Sequence, residues 1–139
     1  MLERTFCMVK PDGVARGLVD EVQKRLIDAK FKIVKSKLIN ITIEEAKNLY
    51  AAHKGKSFYN GLVKFITSGP AFLMELERED AISKLRALMG ATDPREAEAG
   101  TIRGDLKEEN IFNEDKVMKN LIHGSDSKEN AGYELSIFF

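Results

Sequence analysis

The chain has 139 residues, 43% apolar and 32% charged, a composition of soluble globular proteins that excludes a disordered segment. Lys+Arg and Asp+Glu both number 22, so the formal net charge is zero and the basic excess of a general nucleic-acid binder is absent. The single cysteine, Cys7, cannot form an internal disulfide. "MLERTFCMVK" lacks an apolar signal core, and no apolar run reaches membrane-span length, so the expectation is a reduced, cytoplasmic single domain over 1–139 with no membrane partner.

In chain order, "RTFCMVK" (4–10) predicts a short buried strand closed by a "PDG" turn at 11–13, with Cys7 as a small core hydrophobe. From Gly17 to Lys30, Leu18, Val22 and Leu26 share one face opposite charges, the pattern of an amphipathic helix. "FKIVKSKLINI" (31–41) alternates apolar and basic residues as a strand does, with a slip near Leu38 that suggests a bulge. Thr42 with Glu45 three residues later is a capping box, so a helix should start at 42–43.

A shorter helix is expected over 58–68 and a strand over 70–77. Asp80 then caps a helix running to about Leu88, with Gly90 as its stop signal. Residues 91–119 show little periodicity and read as a long loop, which in a compact domain is usually functional. "NLIH" should end a strand, "SDSKENAG" form a short helix capped by Asp126, and "YELSIFF" an extended tail. Strands alternating with helices argue a layered α/β sheet.

Several short motifs do not hold. "HKGKS" (53–57) carries a Gly-Lys-Ser, but a P-loop needs glycine where Tyr50 stands and should follow a strand. "RGD" at 103–105 is a tripeptide that recurs by chance. No CxxC, no His pair at ligand spacing and no GxSxG occur, and with two isolated histidines and one cysteine no protein-held metal site is expected. His53 reads as a bystander on a helix.

His123, in "NLIHGSDS" (120–127), is different because of its surroundings. A lone histidine at a strand end is ordinarily structural, and a nucleophilic imidazole needs one nitrogen held and the other free. Glu134, eleven residues on, could hold one nitrogen; Ser125 offers a nearby hydroxyl; and helix amides starting near Asp126 would favour a phosphate.

"NLIHGSDS" resembles the active-site signature of nucleoside diphosphate kinases. "MVKPDGVARGL" (8–18), "FYNGLVKFITSGP" (58–70) and "GATDP" with "GTIRGD" (90–105) resemble the same family in the same order. The resemblance implies a phosphotransferase moving the γ-phosphate of a nucleoside triphosphate to His123, then to a nucleoside diphosphate, by a ping-pong route. Such chemistry asks for positioning and positive charge, not for a Walker lysine. Lys10 would contact phosphate and sugar hydroxyl; Arg86 and Arg103 would hold the terminal phosphates with forked hydrogen bonds, and Thr92 would add a hydroxyl. Tyr50 would place its hydroxyl near His123, Asn120 would bond the sugar, and Phe58 would stack on the base, a contact tolerant of base identity. Mg²⁺ would arrive with the nucleotide.

The same resemblance implies an α+β fold, a ferredoxin-like four-stranded antiparallel sheet covered by helices, and a homo-oligomer, a hexamer in preference to a tetramer. The segment "GDLKEENIFNEDKVMK" before Asn120 is longer than is usual in the family. Counting back from His123, Val117 is the candidate for the second base-packing residue. The competing reading is a non-catalytic ferredoxin-like module that binds a nucleotide or a partner, with nucleic-acid binding at most a side activity.

Overall fold

Both faces of the first strand are covered, which is why it reads as one apolar run. In the computed structural model, which describes residues 2–139, β1 (Leu2–Val9) lies inside a sheet of order β2-β3-β1-β4. Its neighbours β3 (Ala71–Glu79) and β4 (Ile122–Gly124) both run antiparallel to it, with Cys7 opposite Met74 on one side and Gly124 on the other. The edge strand β2 (Lys32–Ile39) pairs antiparallel with β3. This is the antiparallel ferredoxin-like sheet the resemblance implied.

Cys7 and Val9 project into one core with Val22, Leu26, Met74 and Leu85. Phe6 and Met8 project into a second with Ala46, Ile66, Leu73 and Phe138. Each fully buried side chain of this size contributes about 1.5–3 kcal/mol, so β1 anchors both layers. The first core lies under α2 (Val19–Asp28) and α5 (Ala81–Met89). The second lies under α3 (Ile43–Leu49), α4 (Tyr59–Ile66) and the last helix, α7 (Lys128–Phe138). Cys7 is fully buried, and burial pushes its thiol up to about 12, which leaves it an inert core residue.

The Thr42–Glu45 capping box forms as expected, with both reciprocal hydrogen bonds in place. Other expectations need correction. Strand β1 stops at Val9, and the "PDG" turn is the start of a short helix, α1 (Pro11–Ala15), with Pro at its first position. α2 begins only at Val19 because Gly17 adopts a left-handed φ of 73°. The bulge in β2 lies between Ile33 and Lys35, not near Leu38. Asp80 precedes α5 in a left-handed conformation and its side chain makes no cap hydrogen bond.

The long loop contains a helix, α6 (Ile102–Leu106), capped by the Thr101 hydroxyl, and a small hairpin with a bridge between Phe112 and Met118. The final stretch is not extended: α7 runs unbroken from Lys128 to Phe138. Its cap is Ser127, which accepts from Asn130 N, rather than Asp126. Among the described residues no helix is long and apolar enough to cross a membrane.

Candidate functional site

β4 is only three residues long, and its alternation decides what His123 faces. Gly124 turns toward α5, where an added Cβ would come within 2.8 Å of Leu85 Cδ2 and 3.0 Å of Met89. His123 therefore points to the opposite face, its ring 5.8 Å from that of Phe6 and within reach of α7. There its Nε2 lies 2.8 Å from Glu134 Oε1, and the buried Ser125 hydroxyl donates to the same oxygen at 2.7 Å. Glu134 stands in the second turn of α7, not beyond a helix end. An ionised carboxylate only accepts, so it places the imidazole proton on Nε2 and leaves the Nδ1 lone pair available.

His123 opens onto a cavity of about 570 Å³. The same cavity is lined by Lys10, Tyr50, Arg86, Thr92, Arg103, Asn120 and Glu134, drawn from positions scattered along the whole chain. Its charged lining comprises Lys10, Arg86 and Arg103 against Asp126 and Glu134. In a chain of zero net charge, the fold has thus gathered an excess of cations in one concavity.

Lys10 caps α1 at the end of β1, and its ε-amine donates to Asn120 Oδ1 at 2.8 Å. Burial, reinforced by the Arg103 charge and opposed by Asp12, pushes the Lys10 amine down to about 8. Asn120 in turn donates its amide nitrogen to the Thr92 carbonyl at 3.0 Å. Arg103 is buried in α6. Its guanidinium donates to the carbonyls of Asn120 (3.1 Å), Gly90 (3.2 Å) and Ile122 (2.6 Å), and burial lowers it to about 10. Gly90 makes this approach possible: at φ 87° it accepts the left-handed region, and a Cβ there would meet Thr101 Oγ1 at 2.6 Å. Arg86, on α5, is exposed at the rim, and its charge helps hold the Asp126 carboxyl below its ordinary value, after the larger effect of the Asn130 hydrogen bond.

Tyr50 ends α3, and burial followed by the nearby Glu134 charge raises its phenol above the ordinary tyrosine value. Ser125 does not reach the cavity and touches Glu134 from behind. Phe58 and Val117 also lie outside the lining. Phe58 is 47% exposed at the cap of α4, and Val117 packs so closely on that helix that a Cβ at Gly61 would be 3.0 Å from its Cγ2. The two apolar side chains thus bracket the start of α4, with His53 between the cavity and the Phe58 ring, 5.4 Å away centroid to centroid.

His53 was expected to stand aside, yet it lines the cavity from the 3₁₀ turn Ala51–His53, and its buried Nδ1 has no hydrogen-bond partner among the described residues. Asp12 is a further residue that motif reading passed over. Its Oδ2 accepts the Leu121 amide at 3.0 Å, and Leu121 itself sits at φ 75° immediately before β4. The only sequence signal was its place directly after Lys10 and Pro11, because its partner is 109 residues away.

Comparison with known proteins identifies the family. The chain matches the family described as "Nucleoside diphosphate kinase" over residues 3–139. It is 49% identical over 138 residues to a nucleoside diphosphate kinase of Listeria monocytogenes, covering 99% of this chain and 89% of that protein. It is 47% identical over 137 residues to one from an Anaeromyxobacter species, with the same coverage of 99% and 89%. Among solved structures, a halophilic nucleoside diphosphate kinase from Halobacterium salinarum in complex with CDP superposes with a TM-score of 0.90 at 46% identity, covering 100% of this chain and 88% of that one. A transition-state mimic of the Borrelia burgdorferi enzyme with bound vanadate and ADP gives a TM-score of 0.91 at 35% identity, covering 99% and 87%. Sheet order, a histidine held on one nitrogen, a cationic cavity and full-length similarity converge on one assignment: the chain belongs to the nucleoside diphosphate kinase family.

Proposed function

We propose that this protein transfers the γ-phosphate of a nucleoside triphosphate to a nucleoside diphosphate through a phosphohistidine on His123. The observation that carries the reading is the held Nε2 of His123 beside Glu134, in one cavity with Lys10, Arg86 and Arg103. In the first half-reaction the Nδ1 lone pair attacks the γ-phosphorus, the P–O bond to the β-phosphate breaks, and the nucleoside diphosphate leaves. In the second, a terminal oxygen of another diphosphate attacks the phosphohistidine, and the imidazole regains its lone pair. The histidine phosphate keeps a high transfer potential, so both halves run near balance.

Arg86 and Arg103 would neutralise the equatorial oxygens, with Thr92 as a further donor, while Lys10 and Asn120 would meet the sugar hydroxyl and phosphate. Tyr50 would stand beside the transferring group. Phe58 and Val117 would pack on the base from the start of α4, a contact indifferent to base identity. Mg²⁺ carried in by the nucleotide would neutralise part of the polyphosphate charge. The cavity fits a metal that arrives this way, since its charged lining, three cations against two carboxylates, complements phosphates and offers no cluster of metal ligands among the described residues. Residues 1–139 would act as one catalytic domain in the cytoplasm, assembled as a homo-oligomer, a hexamer in preference to a tetramer; sedimentation measures that state.

The deciding experiment is incubation with γ-labelled ATP and Mg²⁺. A base-stable, acid-labile label that is absent from His123→Ala and discharged by any nucleoside diphosphate is the expected result. A chain that binds nucleotide yet takes no label would instead be a binding module.

A further inference from the structure

The tripeptide that delivers the chain to His123 is bent into an unfavourable shape. Leu121 has φ 75°, and the Ile122 amide folds back on the Asn120 carbonyl two residues earlier at 2.8 Å. A bulky residue adopts this left-handed turn only when its surroundings impose it. Three residues do so. The Leu121 carbonyl accepts from Lys10 N at 2.9 Å, and the carbonyls of Asn120 and Ile122 accept from Arg103. The remaining group, the Leu121 amide, is taken by Asp12 Oδ2 at 3.0 Å. α1 is also pressed onto this turn, since a Cβ at Gly13 would lie 2.4 Å from Leu121 Cδ1.

We propose that Asp12 is a positioning residue for phosphoryl transfer: by accepting the Leu121 amide, its carboxylate holds the left-handed turn that aims His123 into the cavity. The inference rests on His123 being the phosphate carrier. Asp12 does not cap its own helix; α1 has only five residues, and its cap makes no side-chain hydrogen bond. Nor is it a surface carboxylate, because its Oδ1 is buried without a hydrogen-bond partner among the described residues. Burial raises its pKa; Lys10 favours its ionisation and Glu108 opposes it, and its charge also acts on Arg103. A carboxylate kept in so costly a place, with one oxygen committed to a strained amide two residues before the histidine, fits aiming better than general stability.

The test compares wild type with Asp12→Ala and Asp12→Asn in the full chain. Two quantities are read: the single-turnover rate of labelling by saturating MgATP, and the hydrogen-exchange protection of the Leu121 amide. Wild type must label; if it does not, the phosphohistidine reading fails along with this one. Loss of the acceptor in Asp12→Ala should remove the protection and slow labelling by about 10- to 100-fold. Asp12→Asn, which keeps an acceptor oxygen, should retain both to within about 5-fold. Rate and protection moving together across the variants support the proposal. Either one changing without the other, or protection surviving in Asp12→Ala, overturns it. If Asp12→Ala does not fold, the same comparison of rate and protection is decided on Asp12→Asn.

Discussion

The Oε1 atom of Glu134 receives both His123 Nε2, at 2.8 Å, and the Ser125 hydroxyl, at 2.7 Å. One carboxylate oxygen thereby fixes the ring's tautomer, while the serine fixes the carboxylate. Glutamine at this position presents a donor as readily as an acceptor and can move the imidazole proton to Nδ1. Glu134→Gln is expected to lower kcat by about 100-fold with nucleotide affinity little changed. Rapid-quench incorporation of label from γ-labelled ATP over time measures it. Ser125→Ala should be milder, near 1 kcal/mol in thermal stability, because Glu134 keeps its contact with His123.

Lys10 sets a limit at high pH. Its amine is held near 8 by burial and by Arg103, well below the ordinary lysine value. If phosphate binding requires the ammonium, kcat/KM should fall as pH rises through about 8, and the corresponding limb of kcat should lie higher because bound phosphate favours the charged form. Stability moves the other way. Between about 8 and the unfolded value of 10.5 the unfolded chain binds more protons at this site than the folded one. Its contribution therefore becomes more favourable as pH rises through that window. Urea titrations at several pH values, compared with Lys10→Met, isolate it.

Arg103 and Arg86 should respond differently to substitution. Arg103→Lys removes a planar fork whose nitrogens reach three carbonyls and leaves at least one of them unsatisfied in a buried place. A loss of about 2–3 kcal/mol in stability, together with activity, is expected. Arg86→Ala, at an exposed rim position, should leave the melting temperature within about 2 °C and cut kcat/KM by about 100-fold. Differential scanning fluorimetry beside steady-state kinetics distinguishes the two.

Phe58→Ala tests the base contact. Loss of a half-exposed aromatic should raise KM for every nucleoside diphosphate by about 10-fold, with kcat largely retained. A change confined to purines or to pyrimidines would count against a contact blind to base identity.

Local signals in the sequence carried much of the architecture. The apolar run of β1, the Val22–Leu26 stripe and the Thr42–Glu45 box are features of neighbours a few residues apart, and each forms. Strand directions were not readable from periodicity, since antiparallel and parallel neighbours share a period of two. They came through the family resemblance. The second half of α7 escaped detection because Leu135, Ile137 and Phe138 follow no single helical face. The helix is fixed by contacts such as Phe138 stacked on Phe6 at 5.2 Å. The Phe112–Met118 hairpin and the α6 helix depend on docking against α4 and α5, including the Lys64–Asp115 ion pair at 3.1 Å, which no window of sequence contains. Of the site, His123 and its cationic company were visible as motifs, whereas Asp12, His53 and the bend at Leu121 existed only as long-range geometry.

The double engagement of Arg103 has a consequence for how this protein can change. Arg86 and Thr92 are exposed, so under the proposed reading substitutions there would change the grip on phosphate with little effect on the fold. Arg103 ties the cavity to the backbone on either side of Leu121, so its replacement would alter the scaffold together with the phosphate grip proposed for it. A lineage drifting toward faster product release would find accessible steps along the rim and a barrier at the centre. Directed evolution for altered nucleotide handling is best aimed at positions 86 and 92, with position 103 held constant.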